Sequence, residues 1–245
     1  MSVRFLRSDR PLVIGHRGTR GNVAENTMSA FAAGAAAGAD GVELDVRLAK
    51  TGEVVVLHDA DLTRVTNGAD TRRAEDLSAR ELSKVDLGGE GVPLLASVLA
   101  FARERGLLVN VEMKRDVPDR MALVAAAARL LSTWDPNGHV IVSSFDPLML
   151  AAFGAIASGV PRALLVHRSS YHDLMSVAPR LCGAAGVHAE HVIIDAARLR
   201  LWASRAFVFA WTVNSGNEAR ALADLGVRGL ITDDPARVLA ALQSS

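Results

Sequence analysis

The sequence predicts an α/β protein of the (β/α)8 TIM-barrel class, one domain over residues 1–245 with a small insertion at about 59–93 after the second strand. Three observations predict it. Short runs rich in Val, Ile and Leu alternate with helical patterns almost throughout, as a parallel sheet covered by helices requires. Eight such units fit within 245 residues, the usual size of this barrel. No G-x-G-x-x-G loop follows the first apolar run, which argues against an open doubly wound sheet.

Strands are expected, in order, at Leu12 to His16, Gly41 to Asp45, Leu107 to Glu112, Val140 to Ser143, Arg162 to Val166, Ala185 to His188, Phe207 to Trp211 and Gly229 to Ile231. Most are continuous apolar runs, as strands buried on both faces should be. Between them, Met28, Phe31, Ala32 and Ala35 share one helical face. So do Met121, Val124, Ala128 and Leu131, and later Met149, Phe153 and Ile156. Asp234-Pro235 reads as an N-cap followed by proline at the first helical position, opening the last helix. One segment breaks the rhythm. From Asp59 to about Pro93 the chain is polar, with Asn67-Gly68 and Gly88-Gly89 as turn signals and little strand content expected. It is expected to lie over one mouth of the barrel.

Composition narrows the partners. Lys plus Arg and Asp plus Glu number 27 each, so neither nucleic acid nor an anionic membrane surface is expected. The single cysteine, Cys182, excludes an internal disulfide and a cysteine-cage zinc site. No apolar run approaches the roughly 20 residues of a membrane helix. The first residues lack the apolar core of about 7–15 residues that marks a signal peptide. A cytoplasmic protein with a small-molecule partner is expected. The oligomeric state is not legible.

The chemistry begins at His16-Arg17-Gly18, which closes the first strand with a titratable imidazole beside a fixed cation. Histidine moves protons near neutral pH and arginine reads phosphate geometry, so the pair suggests phosphate ester chemistry. Glu43 and Asp45 stand two apart on a strand and so face one side. Two carboxylates turned into a barrel repel and lose hydration unless a cation sits between them. A solvated strand face or an ion pair with Arg47 is the bland alternative, disfavoured by the apolar residues between them. Glu112, at the end of the third strand, completes an all-oxygen set suited to Mg²⁺ or Ca²⁺ rather than zinc. Lys114 shares the face of Glu112, either balancing its charge or reaching a phosphate oxygen. His58 ends the run Val54-Val55-Val56-Leu57. It is either a turn residue or the partner of His16, one imidazole acting as base and the other as acid.

Taken together, His16-Arg17-Gly18 with Glu25-Asn26-Thr27, Gly41-x-Glu43-x-Asp45, His58-Asp59, Val111-Glu112-x-Lys114, Trp211-Thr212-Val213-Asn214 and Gly229-Leu230-Ile231-Thr232-Asp233 resemble the glycerophosphodiester phosphodiesterase family. The resemblance runs in order from about residue 12 to residue 237. It implies a TIM barrel with an insertion after the second strand, agreeing with the polar segment above. It also implies that Glu43, Asp45 and Glu112 hold one divalent ion and that His16 and His58 are general acid and base. Arg17 and Lys114 would bind phosphate, and Trp211 would line the glycerol end of the pocket. The implied reaction splits a glycerophosphodiester into glycerol 3-phosphate and an alcohol. Ala24 stands where the family has proline, a change in loop backbone that removes no reacting group. In Leu95-Ala96-Ser97 this chain lacks the family's acidic residues, which bears only on a helix start. Two alternatives accompany this reading, a lysophospholipase D-type or broad phosphodiesterase and a non-catalytic phosphate-binding barrel.

The remaining prominent residues are read as structural. His188 and His191 are core or rim histidines, and His139 and His172 fall in loops or at helix ends. Trp134 and Trp202 pack, Cys182 is buried, and Asp233 caps the final helix. His167-Arg168 follows the fifth strand, within reach of a polar headgroup.

Overall fold

A computed structural model describes residues 10–21, 23–134, 138–169 and 182–243. The readings of the extreme N-terminus and of His172 concern residues outside that set. The chain forms a closed parallel barrel. Its strands are β1 (Leu12–Gly15), β2 (Gly41–Leu48), β4 (Leu108–Met113), β5 (Val140–Ser144), β6 (Arg162–Val166), β7 (Gly186–Glu190), β8 (Phe207–Trp211) and β9 (Gly229–Thr232). Each pairs in parallel with the next around the ring, and β1 closes it by pairing with both β9 and β2. A short extra strand, β3 (Val54–Val56), runs antiparallel along the upper end of β2, Val46 facing Val56 and Leu48 facing Val54. Outside the barrel lie α1 (Met28–Ala36), α3 (Leu95–Arg105), α4 (Arg120–Trp134), α5 (Pro147–Ile156), α6 (Ala196–Ala203), α7 (Gly216–Leu225) and α8 (Pro235–Gln243). The short α2 (Ala79–Leu82) belongs to the insertion. Among the described residues, no helix is long and apolar enough to cross a membrane.

Each strand divides its side chains between two layers. Val13, Val42, Leu44, Val109, Val111 and Val187 face outward and pack with the helices in one cluster. Leu12, Ile14, Leu108, Ile141, Ala163, Phe207, Phe209 and Ile231 face inward and form a second. Inward side chains of alternate strands meet at one level in such a barrel. Following the pairing register, Gly41, Ile141, Gly186 and Gly229 share one level near the floor. A Cβ on Gly186 would stand 2.3 Å from the Phe207 ring, and one on Gly229 would stand 2.6 Å from that of Phe209. The glycines therefore make room for the aromatic rings that fill the floor.

Higher up, the interior turns polar. Glu43, Ser143, His188 and Ile231 share the next even-strand level by the same register. His188 is fully buried and stacks on Phe209, ring centroids 4.9 Å apart. Burial alone pushes its pKa down to about 3, so the ring is neutral.

Three helical positions differ from expectation. Ala32, Met121 and Ile156 are exposed, although their helices bury Phe31, Val124, Ala128, Leu131, Met149 and Phe153. Met121 lies in the first turn of α4 and Ile156 ends α5, where a helix projects past the strands it covers. Ala32 follows Phe31 and turns away from the sheet. The insertion also differs from a polar loop. Val55, Leu57, Leu62, Ala74, Leu77, Leu82, Val85, Leu87 and Val92, with Ala49, form a separate core. A capping box between Ser78 and Glu81 fixes the start of α2.

Candidate active site

The C-terminal ends of the strands bring the predicted residues to one mouth. His16 follows β1 at a tight turn in which Arg17 and Gly18 both take positive φ, 53° and 94°. There the Arg17 amide donates to Glu43 Oε2 at 3.0 Å. The Arg17 guanidinium donates through Nη1 to Glu25 Oε1 at 2.7 Å. Its Nε lies 3.3 Å from Asp45 Oδ2, an ion pair that is not aligned as a hydrogen bond. The run Glu25-Asn26-Thr27 resolves into separate tasks. Glu25 orients Arg17, Asn26 Nδ2 donates to Asp45 Oδ2 at 2.9 Å, and Thr27 caps α1.

Glu43, Asp45 and Glu112 each offer an oxygen within 4.8 Å of the others. Glu43 and Asp45 are buried, and Glu112 is nearly so. Burial, reinforced by the charge of Asp45, raises the pKa of Glu43 and of Glu112 above the carboxylate range. Burial would raise Asp45 too, but Lys114, Arg17, His58 and the Asn26 hydrogen bond outweigh it and hold Asp45 low. Lys114 Nζ donates to Glu112 Oε1 at 3.0 Å and to Asp45 Oδ1 at 3.3 Å. Arg47, the alternative partner for the acids, is occupied elsewhere. It donates to the His58 carbonyl at 2.7 and 3.0 Å and to Asp116 Oδ2 at 2.7 Å, fixing the backbone under His58.

Each imidazole bonds a carboxylate through Nδ1. His16 Nδ1 lies 2.7 Å from Asp233 Oδ1, and His58 Nδ1 lies 2.6 Å from Asp59 Oδ1. Asp233 is thus not a helix cap. Asp234 caps α8, as its place before Pro235 predicts, accepting from the Arg237 amide at 3.1 Å. Asn214 braces Asp233, donating to Oδ2 at 2.8 Å and accepting the Asp233 amide at 2.9 Å. Burial lowers the basicity of both rings. At His16 the Asp233 hydrogen bond and the charge of Glu43 win, and the pKa rises. At His58 burial prevails, with Lys114 and Arg17 adding to it, and the pKa falls despite Asp45 and Asp59.

His16, Arg17, His58, Glu112, Lys114 and Trp211 line one cavity of about 300 Å³ together with Glu43. Trp211 donates its indole N–H to the His188 carbonyl at 2.9 Å, which fixes the ring. Phe145 meets it edge-on at 5.7 Å, and His167 stacks at 5.9 Å. The Asn110 carboxamide also faces this cavity, and its buried Oδ1 has no hydrogen-bond partner among the described residues. A larger groove of about 790 Å³ lies between the insertion and the segment before α1. Its acids are engaged locally, Asp70 with Arg72 and Glu90 with the Ser29 amide, so the smaller cavity holds the convergent chemistry. Sequence reasoning did not single out Asn214, Arg64, Phe145 or Asn110. For Phe145 the signal was its place two residues beyond Ser143, on the inward face of the strand end.

A profile of the Glycerophosphoryl diester phosphodiesterase family matches residues 16–237. The glycerophosphodiester phosphodiesterase of Caldanaerobacter subterraneus subsp. tengcongensis is 32% identical over 235 residues, 92% of this chain and 95% of that protein. That of Bacillus altitudinis is 31% identical over 244 residues, covering 93% and 96%. The crystal structure of the Thermotoga maritima glycerophosphodiester phosphodiesterase superposes with a TM-score of 0.76 at 27% identity, covering 96% of this chain and 99% of that one. A phosphodiesterase from Oleispira antarctica, solved with its product sn-glycerol-3-phosphate, superposes with a TM-score of 0.85 at 24% identity, covering 97% and 99%. By family profile, by relatives spanning nearly its whole length and by a shared barrel, this chain belongs to the glycerophosphoryl diester phosphodiesterase family and is a hydrolase.

Proposed function

We propose that the protein hydrolyses glycerophosphodiesters such as glycerophosphocholine or glycerophosphoethanolamine to glycerol 3-phosphate and an alcohol. One observation carries the reading. Two imidazoles, each tied through Nδ1 to a carboxylate, line a single cavity with two cations and with Glu43 and Glu112, two members of a three-acid cluster completed by Asp45. The product bound to the Oleispira enzyme supports the choice of substrate class.

His16 and His58 are the general acid and base, each acting through Nε2 because Nδ1 is engaged. The 2-hydroxyl of the substrate attacks phosphorus while one imidazole takes its proton. The other protonates the oxygen of the departing alcohol, leaving a cyclic phosphate. Water then opens the ring with the two roles exchanged. Arg17 and Lys114 hold the phosphoryl oxygens, whose negative charge grows toward the transition state. Trp211, steadied by Phe145 and His167, packs the glycerol end.

Glu43, Asp45 and Glu112 fit one hard divalent cation. The donors are all oxygen, lie within 4.8 Å of one another, and in two cases have their pKa raised by burial and then by the charge of Asp45. Bound there, Mg²⁺ or Ca²⁺ supplies charge neutralisation at the phosphate. The test is release of sn-glycerol 3-phosphate from glycerophosphocholine, with EDTA and then with each metal restored. Activity abolished by EDTA and recovered with Mg²⁺ or Ca²⁺ is expected. No turnover of any glycerophosphodiester under any metal would sink the proposal.

A further inference from the structure

Arg64 lies in the insertion, and its side chain is about half exposed. Its guanidinium donates in two directions. Nε donates to Asp59 Oδ2 at 2.5 Å, and Nη2 donates to Glu25 Oε1 at 2.7 Å. The other oxygen of Asp59 holds His58 Nδ1, and the same Glu25 oxygen accepts Arg17 Nη1. A continuous chain of charges therefore runs from His58 through Asp59, Arg64 and Glu25 to Arg17.

We infer that Arg64 is a positioning residue that sets His58 and Arg17 in register with each other. The inference rests on the reading of His58 and Arg17 given under Proposed function. The planar fork aims Nε and Nη2 at the two acceptors in fixed directions, whereas a lysine ammonium is a single, freely rotating point of charge. Asp59 and Glu25 stand on different segments, one entering the insertion and one preceding α1. Arg64 is the only cation bonded to both carboxylates among the described residues. Without it, the Asp59 carboxylate keeps His58 but loses its own anchor. Glu25 keeps Arg17 and a longer contact to Arg20 at 3.9 Å. Proton-transfer group and phosphate anchor then move independently. A misplacement near 1 Å costs up to about 10²-fold in rate. Exposed ion pairs contribute little to stability, so the loss should fall on catalysis.

The experiment compares Arg64→Gln and Arg64→Lys with the unaltered protein on glycerophosphocholine, each variant also carried into Asp59→Asn and Glu25→Gln backgrounds. Thermal melting is recorded for each protein, with inhibition by sn-glycerol 3-phosphate as a binding readout. Both Arg64 variants should lose about 10–100-fold in kcat/KM with nearly unchanged melting, and lysine should not rescue. The Arg64→Gln defect should shrink in either background, and product inhibition should weaken severalfold through Arg17. Near-normal kcat/KM in Arg64→Gln, additive losses in both backgrounds, or activity lost only in step with melting temperature would overturn the positioning role. An unaltered protein that turns over no glycerophosphodiester overturns the functional reading and this inference together. Turnover with unaffected Arg64 variants removes the inference alone.

Discussion

The two histidines are held by the same bond in different surroundings. His16 belongs to the barrel. Its carboxylate, Asp233, directly follows β9, is braced by Asn214, and has a side chain only 16% exposed. His58 stands where β3 leads into the insertion. Its carboxylate is the next residue in the chain, has a side chain 27% exposed, and depends on a half-exposed arginine. One corner is set by closure of the barrel, the other by docking of an appended unit. The contrast separates what the barrel supplies from what had to be added: a rigid strand end fixes one imidazole, and the second needs a segment that reaches back across the mouth.

The largest test of that comparison is removal of each ring. His16→Ala and His58→Ala should each lower turnover of glycerophosphocholine by about 10²–10⁴-fold. A near-normal rate in either would show that the two corners are not an acid–base pair. The barrel corner also carries a cost in acid. Burial pushes the pKa of His188 down to about 3 from its ordinary 6.5. Between those values the unfolded chain binds a proton that the folded ring refuses, so stability is complete above about pH 6.5 and falls as pH drops toward 3. The loss is on the order of 5 kcal/mol when complete. His188→Leu should flatten the acid limb of a plot of Tm against pH, and parallel curves would refute this account. The carboxylates behind the rings should differ more gently. Asp233→Asn and Asp59→Asn should each cost about 10–100-fold in kcat, with the barrel-side change the greater because water can stand in for Asp59. Equal losses would mean that burial of Asp233 is irrelevant. The smallest effect is thermal. The insertion has its own core, so activity should decline a few degrees before the far-UV signal of the barrel. Coincident transitions would show that the two regions open as one.

Much of this arrangement was legible because its signals are local. Glu43 and Asp45 are two residues apart on a strand, Glu112 and Lys114 likewise, and period two alone turns each pair to one side. The eight strands stood out as apolar runs because both their faces are buried. What stayed hidden is either remote in sequence or without period. Asp233 reaches His16 across 217 positions, and no local pattern distinguishes a residue that orients a ring from one that caps a helix. Arg64 reads as one more surface arginine until Glu25 is seen beside it. In the insertion, apolar residues at irregular spacing build a core through turns and one short helix, so neither helical nor strand periodicity marks it. Arg47 agrees with the reading that disfavoured its pairing with the acids, since folding gives it the carbonyl of His58.

The aromatic floor has a consequence for traffic. Among the described residues, Phe207 and Phe209, packed over Gly186 and Gly229, fill the barrel floor below the candidate site. Under the proposed reaction, diester, alcohol, water and glycerol 3-phosphate would share one mouth. Departure would then have an order: the alcohol first, and the phosphate, held at Arg17 and Lys114, last. The last product out would compete directly with the next substrate in, and under that reaction an accumulation of glycerol 3-phosphate would brake its own formation.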